Sequence, residues 1–485
     1  MDAEVIVVGA GPAGLMLAGE LRLAGTGVTV LERLGEPSGE SRGLGLAIRT
    51  MEVFDQRGLL PRFGPLETGN FGHFAGLFLD FGVLDSVHES AKTVPQSQTE
   101  SVLEKWAFDL GADVRRGTEV VGLRQHADHV EVVVRGSGGT QRLNARYLVG
   151  CDGGRSTVRK LGGFDFPGKS STRELFLADV RGIDVRPRMI GEQVPGGMVM
   201  AARMPNGDTR LVMSEHGKPP RPRTEPLGYP EVADTWRRLT GDDISGGEPV
   251  WFNAFGNAAR QVTEYRRGRI LLAGDAAHVH LAAGGQGMNT SVQDAVNLGW
   301  KLAAVVRGRN TEDLLDSYHD ERHPVGRRVL VNTEAQGHLI LSGAETGSLR
   351  AVLAELTELP EVRRHLAAMV SGLEIRYDVG GGGHPLLGRR LPHWELTTPD
   401  GRTDTTALLH EARGVLLDLR DNPVLRERAA GWSDRIDIVT CGPVSGEDTT
   451  AVLVRPDGHV AWAAPGSHHD LTSALTRWFG EPRSH

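Results

Sequence analysis

The chain has only two cysteines in 485 residues, Cys151 and Cys441. Two thiols so far apart give no disulfide framework, and the fold must rest on its own cores. Long hydrophobic runs are also missing. The apolar stretch from Val5 to Gly19 is too short and too glycine-rich to cross a bilayer, so no membrane partner is expected. No basic segment precedes that stretch; Asp2 and Glu4 stand there instead. A signal peptide is therefore not expected, and a reducing, cytoplasmic setting is. Positive charge is not in excess: the net charge is −8, which argues against nucleic acid as a main partner. Basic clusters are short, and the one at Pro219 to Arg223 is broken by prolines and reads as a surface loop.

Glycine is what the chain has in quantity. Its 64 glycines are about twice the average frequency of roughly 7%. Such a content suits many tight turns and close approaches of backbone to ligand. The length exceeds what one core usually serves, so two or three domains are expected.

Residues 4–34 read as strand, helix, strand. Val5–Val8 is a continuous apolar run of the parallel-sheet kind. Leu15, Leu17, Leu21 and Leu23 lie in a helix stopped by Gly25 and Gly27, and Val28–Leu31 is the second strand. Short helices are expected at Thr50–Arg57 and Glu100–Leu110, and strands at Val130–Arg135 and Leu143–Val149. From about 170 to 262 the chain turns proline-rich with short apolar segments, and an inserted β-rich domain is expected. Helices should dominate from Ser291 to about Gly372. After Gly380–Gly383 come strands at Gly414–Leu419, Ile436–Thr440 and Thr450–Val454 and a helix at Leu471–Trp478. The expected division is 1–169, 170–262, 263–385 and 386–485.

Three motifs carry chemistry. Gly9-Ala-Gly11-Pro12-Ala13-Gly14 follows the first strand and opens the first helix, and Glu32 ends the second strand. That combination is the dinucleotide fingerprint: a tight turn, room for pyrophosphate, and an acid for the ribose diol. The second is Asp152-Gly-Gly-Arg155-Ser-Thr-Val-Arg159, a mix of acid, glycine and base before a helix that suits a phosphate neighbourhood. The third is Gly274-Asp275 after an apolar strand, followed by Gly284-Gly285-Gln286-Gly287-Met288-Asn289. The carboxylate can accept from a sugar-like hydroxyl. The helix start can hold a partly negative group. The pairing of this stretch with the fingerprint points to FAD rather than NAD. No second fingerprint is found.

Several features carry blander readings. His278 and His280 look like a metal pair, but the only carboxylate close by in sequence is Asp275, already used, so no metal is assigned. Cys441-Gly-Pro-Val444 resembles a redox motif without its second cysteine.

The three motifs, in this order, resemble those of the class A flavoprotein monooxygenases of the para-hydroxybenzoate hydroxylase fold. Glu40–Gly45, Thr93–Gln98, Gly284–Asp294, Arg188–Glu192, Pro195–Met200 and Ala461–His469 narrow the resemblance to the aromatic polyketide hydroxylases, and within them to the angucycline hydroxylases. It runs over essentially the whole chain. The fold implied is α/β: a Rossmann-like FAD-binding domain, an inserted β-sheet substrate domain and a C-terminal thioredoxin-like domain, read here as structural and as a homodimer contact. Gly9, Gly11, Pro12, Ala13 and Gly14 would cradle the FAD pyrophosphate, with Glu32 and Arg33 on the adenosine side. Arg42 and Gln96 or Gln98 would touch the pyrophosphate and ribityl chain. Asp152 would serve FAD and NADPH, Asp275 the ribityl hydroxyls, and Gly285–Asn289 the flavin pyrimidine edge.

The reaction implied is NADPH-driven hydroxylation by molecular oxygen of a polycyclic aromatic polyketide, in antibiotic biosynthesis, through a flavin C4a-hydroperoxide from which water is excluded. Met198, Met200, Trp251 and Phe255 are candidates for lining the pocket, and no general base is named. Baeyer–Villiger or quinone-forming outcomes, and a non-catalytic flavin-binding partner of another oxygenase, stay open as alternatives. One departure stands out: the family usually has proline before the Gly-Gly pair, where this chain has Leu281-Ala282-Ala283. A freer loop beside the flavin is expected at Ala282.

Overall fold

The computed structural model describes residues 1–485 except 41, 42, 67, 70, 205, 222–224, 447, 468, 469, 484 and 485. Arg42 lies outside the described residues, as does part of several stretches named above: Ser41, Pro205, Pro222, Arg223, His468 and His469.

The opening unit is strand β1 (Ala3–Val8), helix α1 (Pro12–Leu23) and strand β2 (Val28–Leu31). Val5 to Val8 are buried on both faces of the strand, which is why the run shows no polar alternation. Helix α2 (Ile48–Asp55) lies close to the expected Thr50–Arg57. Helix α3 (Gln96–Asp109) begins a turn earlier than expected, because Pro95 stands at its N-cap, where no amide donor is needed. Strands β3 (Asp113–Arg115), β4 (Glu119–Gln125), β5 (Val130–Gly136) and β6 (Gly139–Gly150) follow. The first half of strand β6 pairs antiparallel with β5 and its second half parallel with β1. The short helix α4 (Thr157–Leu161) comes next.

Residues 174–256 build a separate antiparallel sheet. Strands β7 (Glu174–Arg181), β8 (Arg188–Val194), β9 (Gly197–Arg203), β10 (Thr209–Glu215) and β11 (Glu248–Gly256) stand in the order β8-β9-β10-β7-β11. Helix α5 (Tyr229–Thr240), unforeseen in this proline-rich stretch, covers one face. Its Val232, Trp236 and Leu239 pack on Phe176, Ala178, Val199, Leu211 and Met213. Pro230 is tolerated because it sits in the first turn, and Gly241, at φ 83°, ends the helix.

The chain then returns to the first sheet with β12 (Ile270–Leu272), parallel to the end of β6. The central order is β12-β6-β1-β2-β3, all parallel. Helices α6 (Gln286–Val306), α7 (Asp313–Ile340), α8 (Gly347–Thr357) and α9 (Pro360–Ser371) follow. Helix α6 lies directly on α1, since a Cβ at Gly299 would sit 2.4 Å from that of Glu20.

The last hundred residues form a mixed sheet of β13 (Gly414–Asp418), β14 (Ile436–Thr440), β15 (Ala451–Val454) and β16 (Val460–Ala464), in the order β14-β13-β15-β16. Strands β13 and β14 are parallel; the other pairs are antiparallel. Helices α10 (Pro423–Ala429) and α11 (Leu471–Phe479) flank it. Cys151 and Cys441 are free and buried, and burial pushes the Cys441 thiol up to about 11.

The turn between β15 and β16 enters the interior beside α6 and α7. Arg455 has no exposed surface; it donates to both oxygens of Glu321 and to Asp457. Lys301, equally sealed, donates to Glu321 at 2.8 Å and to Asn297 at 2.9 Å. Burial alone would raise the Glu321 carboxyl, but Arg455 and Lys301 outweigh it and bring it down to about 2. Burial brings the Lys301 ammonium down to about 8, against the pull of Glu321.

These shifts have opposite signs in stability. Glu321 contributes fully above its unfolded pKa near 4.5, and that contribution is lost as pH falls towards 2. Its full size is on the order of 3 kcal/mol. Lys301 gives up its proton near 8 in the folded state but near 10.5 unfolded, so stability rises with pH across that window. Urea unfolding at a series of pH values should show both slopes. Lys301→Met should abolish the alkaline rise and keep the acid loss; an unchanged alkaline slope would contradict the assignment.

Candidate functional site

The three motifs converge on one cleft at the carboxyl ends of the parallel strands, where open α/β sheets place their ligands. Gly9 leaves β1 with φ 104°, and a Cβ there would lie 2.5 Å from the Cys151 carbonyl oxygen. A Cβ at Gly14 would lie 1.9 Å from the Gly9 carbonyl oxygen. Protein packing therefore demands glycine at both. Gly11 differs: a Cβ there meets nothing within 4 Å. Its glycine leaves open space in front of the first turn of α1, and no side chain caps that helix. Free N–H groups facing open space are the requirement for a pyrophosphate. Pro12 opens the helix and Ala13 is buried within its first turn.

Glu32 stands beside this turn. Its carboxylate accepts from the backbone N–H of Ala10 and of Leu34, both at 2.9 Å. Arg33 next to it is exposed. The Asp152 carboxylate is engaged with its own chain: it accepts from the Ser156 hydroxyl and from the N–H groups of Thr157, at 2.6 Å, and Val158, at 3.0 Å. It thus caps helix α4. Arg159, in the same motif, donates to the Ala276 carbonyl at 2.8 Å and ties α4 to the third motif.

That third motif packs on the first. A Cβ at Gly274 would lie 3.2 Å from that of Ala13 and 2.9 Å from the Ser291 hydroxyl. Asp275, next along, is exposed and has no hydrogen-bond partner among the described residues. Behind it sits a buried group not singled out above. The Asp294 carboxylate accepts from the Gly274 N–H at 3.1 Å, His278 Nε2 at 2.7 Å and Arg322 Nε at 2.7 Å. Burial would raise this carboxyl, but Arg322 and His278 hold it below its ordinary value. The carboxylate beside His278 is therefore Asp294, not Asp275. Asp294 was hidden because it lies more than two turns into α6, where spacing from His278 means little.

Helix α6 begins at two glycines of positive φ, Gly284 and Gly285, without a side-chain cap, and the space at Gly285 is open. Asn289 clamps this start to residues 45–47: its Nδ2 donates to the Gly285 carbonyl at 2.7 Å and the Gly45 carbonyl at 3.2 Å, and its Oδ1 accepts from the Ala47 N–H at 2.8 Å. Gln286 accepts from Asn332, which in turn accepts from Gln336. Gln96 and Met288 both flank Gly43, whereas Gln98 is exposed and donates to the Phe63 carbonyl. His280 lies 3.6 Å from the Cβ position of Gly287, and its Nδ1 donates to the Leu281 carbonyl at 2.8 Å. Burial holds its imidazole below the ordinary value.

Opposite the start of α6, the uncovered face of the five-stranded sheet joins one apolar cluster. Leu175, Met198, Val212 and Phe255 meet Leu281, Ala283, Ile340 and Leu341 there. Met198 and Phe255 are thus brought together. Met200 and Trp251 share their face by strand alternation and are half-buried, but lie outside the cluster. The loop at Ala282 is pinned on both sides: Leu281 and Ala283 are buried, and the Ala283 N–H donates to the Leu281 carbonyl at 2.7 Å. The freedom expected from the missing proline is confined to one exposed residue at the apex of a tight turn.

Comparison with known proteins agrees with this geometry. Residues 2–333 match the FAD binding domain family and residues 384–482 the aromatic-ring hydroxylase C-terminal family. The chain belongs to the FAD-binding aromatic-ring hydroxylases. It is similar to the 12-dehydrotetracycline 5-monooxygenase/anhydrotetracycline 6-monooxygenase of Streptomyces rimosus, with 42% identity over 99% of this chain and 100% of that protein. Among solved structures it is similar to CabE, an aromatic hydroxylase from angucycline biosynthesis, at 63% identity and TM-score 0.97. BexE, studied for oxidation during BE-7585A biosynthesis, stands at 64% identity and TM-score 0.95. Both alignments cover both chains in full.

As an aromatic-ring hydroxylase the protein is a flavin-dependent monooxygenase, and the cleft fits FAD. Open space at Gly11 and Gly285 faces two uncapped helix starts, and the Asp275 carboxylate stands between them free to accept. Asp275→Ala should weaken FAD binding roughly ten- to a hundred-fold, the loss of one charge-assisted hydrogen bond. Fluorescence titration of apoprotein measures this, and unchanged affinity would remove Asp275 from the site.

Proposed function

We propose that the protein is an FAD- and NADPH-dependent monooxygenase that hydroxylates an angucyclinone-type aromatic polyketide in antibiotic biosynthesis. The observation that carries this reading is the facing of two uncapped helix starts, across one cleft, by an apolar sheet surface. Similarity to CabE over the whole chain supports the substrate class.

FAD, when bound, supplies the electron relay between NADPH and dioxygen. The protein's part is to hold, orient and dry. Gly9, Gly11, Pro12, Ala13 and Gly14 receive the pyrophosphate, and Glu32 and Arg33 the adenosine side. Asp275 accepts from the ribityl hydroxyls. Gly285 to Asn289 offer N–H groups and the positive end of α6 to the pyrimidine edge, which favours the negative charge that edge carries on reduction. Gln96 holds the opposite side through Gly43. Asp152 serves by fixing the start of α4.

Residues 170–262 roof the site, and Met198, Phe255 and Leu281 exclude water from the reacting face. Met200 and Trp251 extend that face for a flat polycyclic guest. In this reading 1–169 and 263–385 hold the cofactor, and 386–485 form a thioredoxin-like domain with a structural role and a homodimer contact. Cytoplasmic location suits an enzyme that draws on NADPH.

Aerobic NADPH oxidation, followed with and without a tetracyclic angucyclinone, tests the proposal. Substrate should stimulate oxidation several-fold and gain mass by whole oxygen atoms. Oxidation that ignores the substrate and yields only peroxide would contradict it. Leu281→Ala should open the apolar seal and raise NADPH consumed per product formed; an unchanged ratio would contradict the seal.

A further inference from the structure

The turn Arg455–His459 belongs to the C-terminal segment, yet it ends a few side chains from the FAD cleft. We infer that this turn is a remote positioning element for the flavin-binding turn Gly274–Asp275, acting through α6 and α7. The inference rests on the FAD site described above and adds a control on it from outside the cofactor-binding chain segments.

Two routes connect the turn to the cleft. In the first, Asp457 accepts from Asn297 Nδ2 at 3.2 Å, and the same nitrogen donates to Glu321 at 2.7 Å. Arg455 grips Glu321 from the other side, at 2.9 Å for one of its two bonds. Asn297 lies one turn along α6 from Asp294. In the second, the ring of His459 packs on that of Tyr377 with centroids 4.3 Å apart. The Tyr377 hydroxyl accepts from Arg322 Nη1 at 3.0 Å, and Arg322 Nε donates to Asp294 at 2.7 Å. Asp294 then holds the Gly274 N–H and His278. Glu321 and Arg322 are neighbours on α7, so both routes meet on one turn of one helix.

Burial makes the linkage stiff. Lys301, Arg322, Arg455 and Asp294 have no exposed surface, and Asp457 has 2%. Arg455 lies over the rings of Trp478, Tyr377 and Trp300 at 4.5, 5.2 and 5.4 Å. The charges balance: Lys301, Arg322 and Arg455 against Glu321, Asp457 and Asp294. Removing any one leaves an uncompensated charge where water cannot enter, so the neighbours must move. The nearest one free to relax towards a ligand is the glycine turn, because Asp294 is its anchor.

Tyr377→Phe and Asp457→Asn test this, with Arg435→Gln as control. Arg435 docks the same segment elsewhere, through the Arg309 and Phe479 carbonyls. FAD affinity of the full-length apoprotein and the visible spectrum of the bound flavin are read below the melting temperature. Tyr377→Phe should weaken FAD binding roughly tenfold and shift the flavin spectrum, while Arg435→Gln lowers thermal stability and leaves both unchanged. If Asp457→Asn does not fold, Tyr377→Phe, which removes one oxygen, decides alone. Wild-type affinity and spectrum in Tyr377→Phe would overturn the inference. Loss in all three variants alike would overturn it too, by reducing the effect to general loosening. Failure of the wild-type protein to bind FAD would instead overturn the site on which it rests.

Discussion

One buried carboxylate holds the cofactor cleft in shape. Asp294 has no exposed surface, yet it receives a backbone N–H from the glycine turn, a ring nitrogen of His278 and the guanidinium of Arg322. An unpaired carboxylate in that position would be prohibitively unfavourable, so its three donors must stay together. One of them is the turn that presents Asp275 to the cleft. The geometry of the exposed, functional carboxylate is thus set by a sealed one behind it.

The cleft itself works by leaving things out. Two helices begin without side-chain caps, and glycine replaces side chains where they face it. The free N–H groups that result are an electrostatic resource fixed before any ligand arrives. Across the gap, the sheet of residues 174–256 is two-faced. Alternation along its strands sends Phe176, Ala178 and Val180 to helix α5 and Leu175 to the cleft. Leu281 packs between that sheet face and the loop that leads into α6.

Much of this was legible in the residues. The parallel strands announced themselves as unbroken apolar runs, and the glycine fingerprint fell between strand and helix as expected. The strand at Gly414–Asp418 carries the same signal, whereas Asp437 interrupts the run at Ile436–Thr440. Helix α5 was not legible, because proline was read as turn rather than as a first helical residue. Asp294, Arg322, Glu321 and Arg455 were silent for a different reason. Each looks in sequence like an ordinary surface charge on a helix or turn, and only tertiary packing buries it. Their partners are separated by up to 134 positions, beyond any local pattern. Gln96 and Gln98 illustrate the remaining limit: two positions on one helix face differently, and only the structure shows that Gln96 accepts from the Gly43 N–H while Gln98 donates to the Phe63 carbonyl.

The central claim is that the protein, with FAD held in the cleft, would transfer one atom of dioxygen to an aromatic ring in a pocket from which water is excluded. Turnover of a polycyclic phenol with NADPH under isotopically labelled dioxygen tests it most directly, read by product mass. One labelled oxygen atom in the product per NADPH consumed, with the other in water, is the result the account predicts. Product oxygen drawn from unlabelled water, or substrate recovered unchanged while the label collects as peroxide, would contradict it.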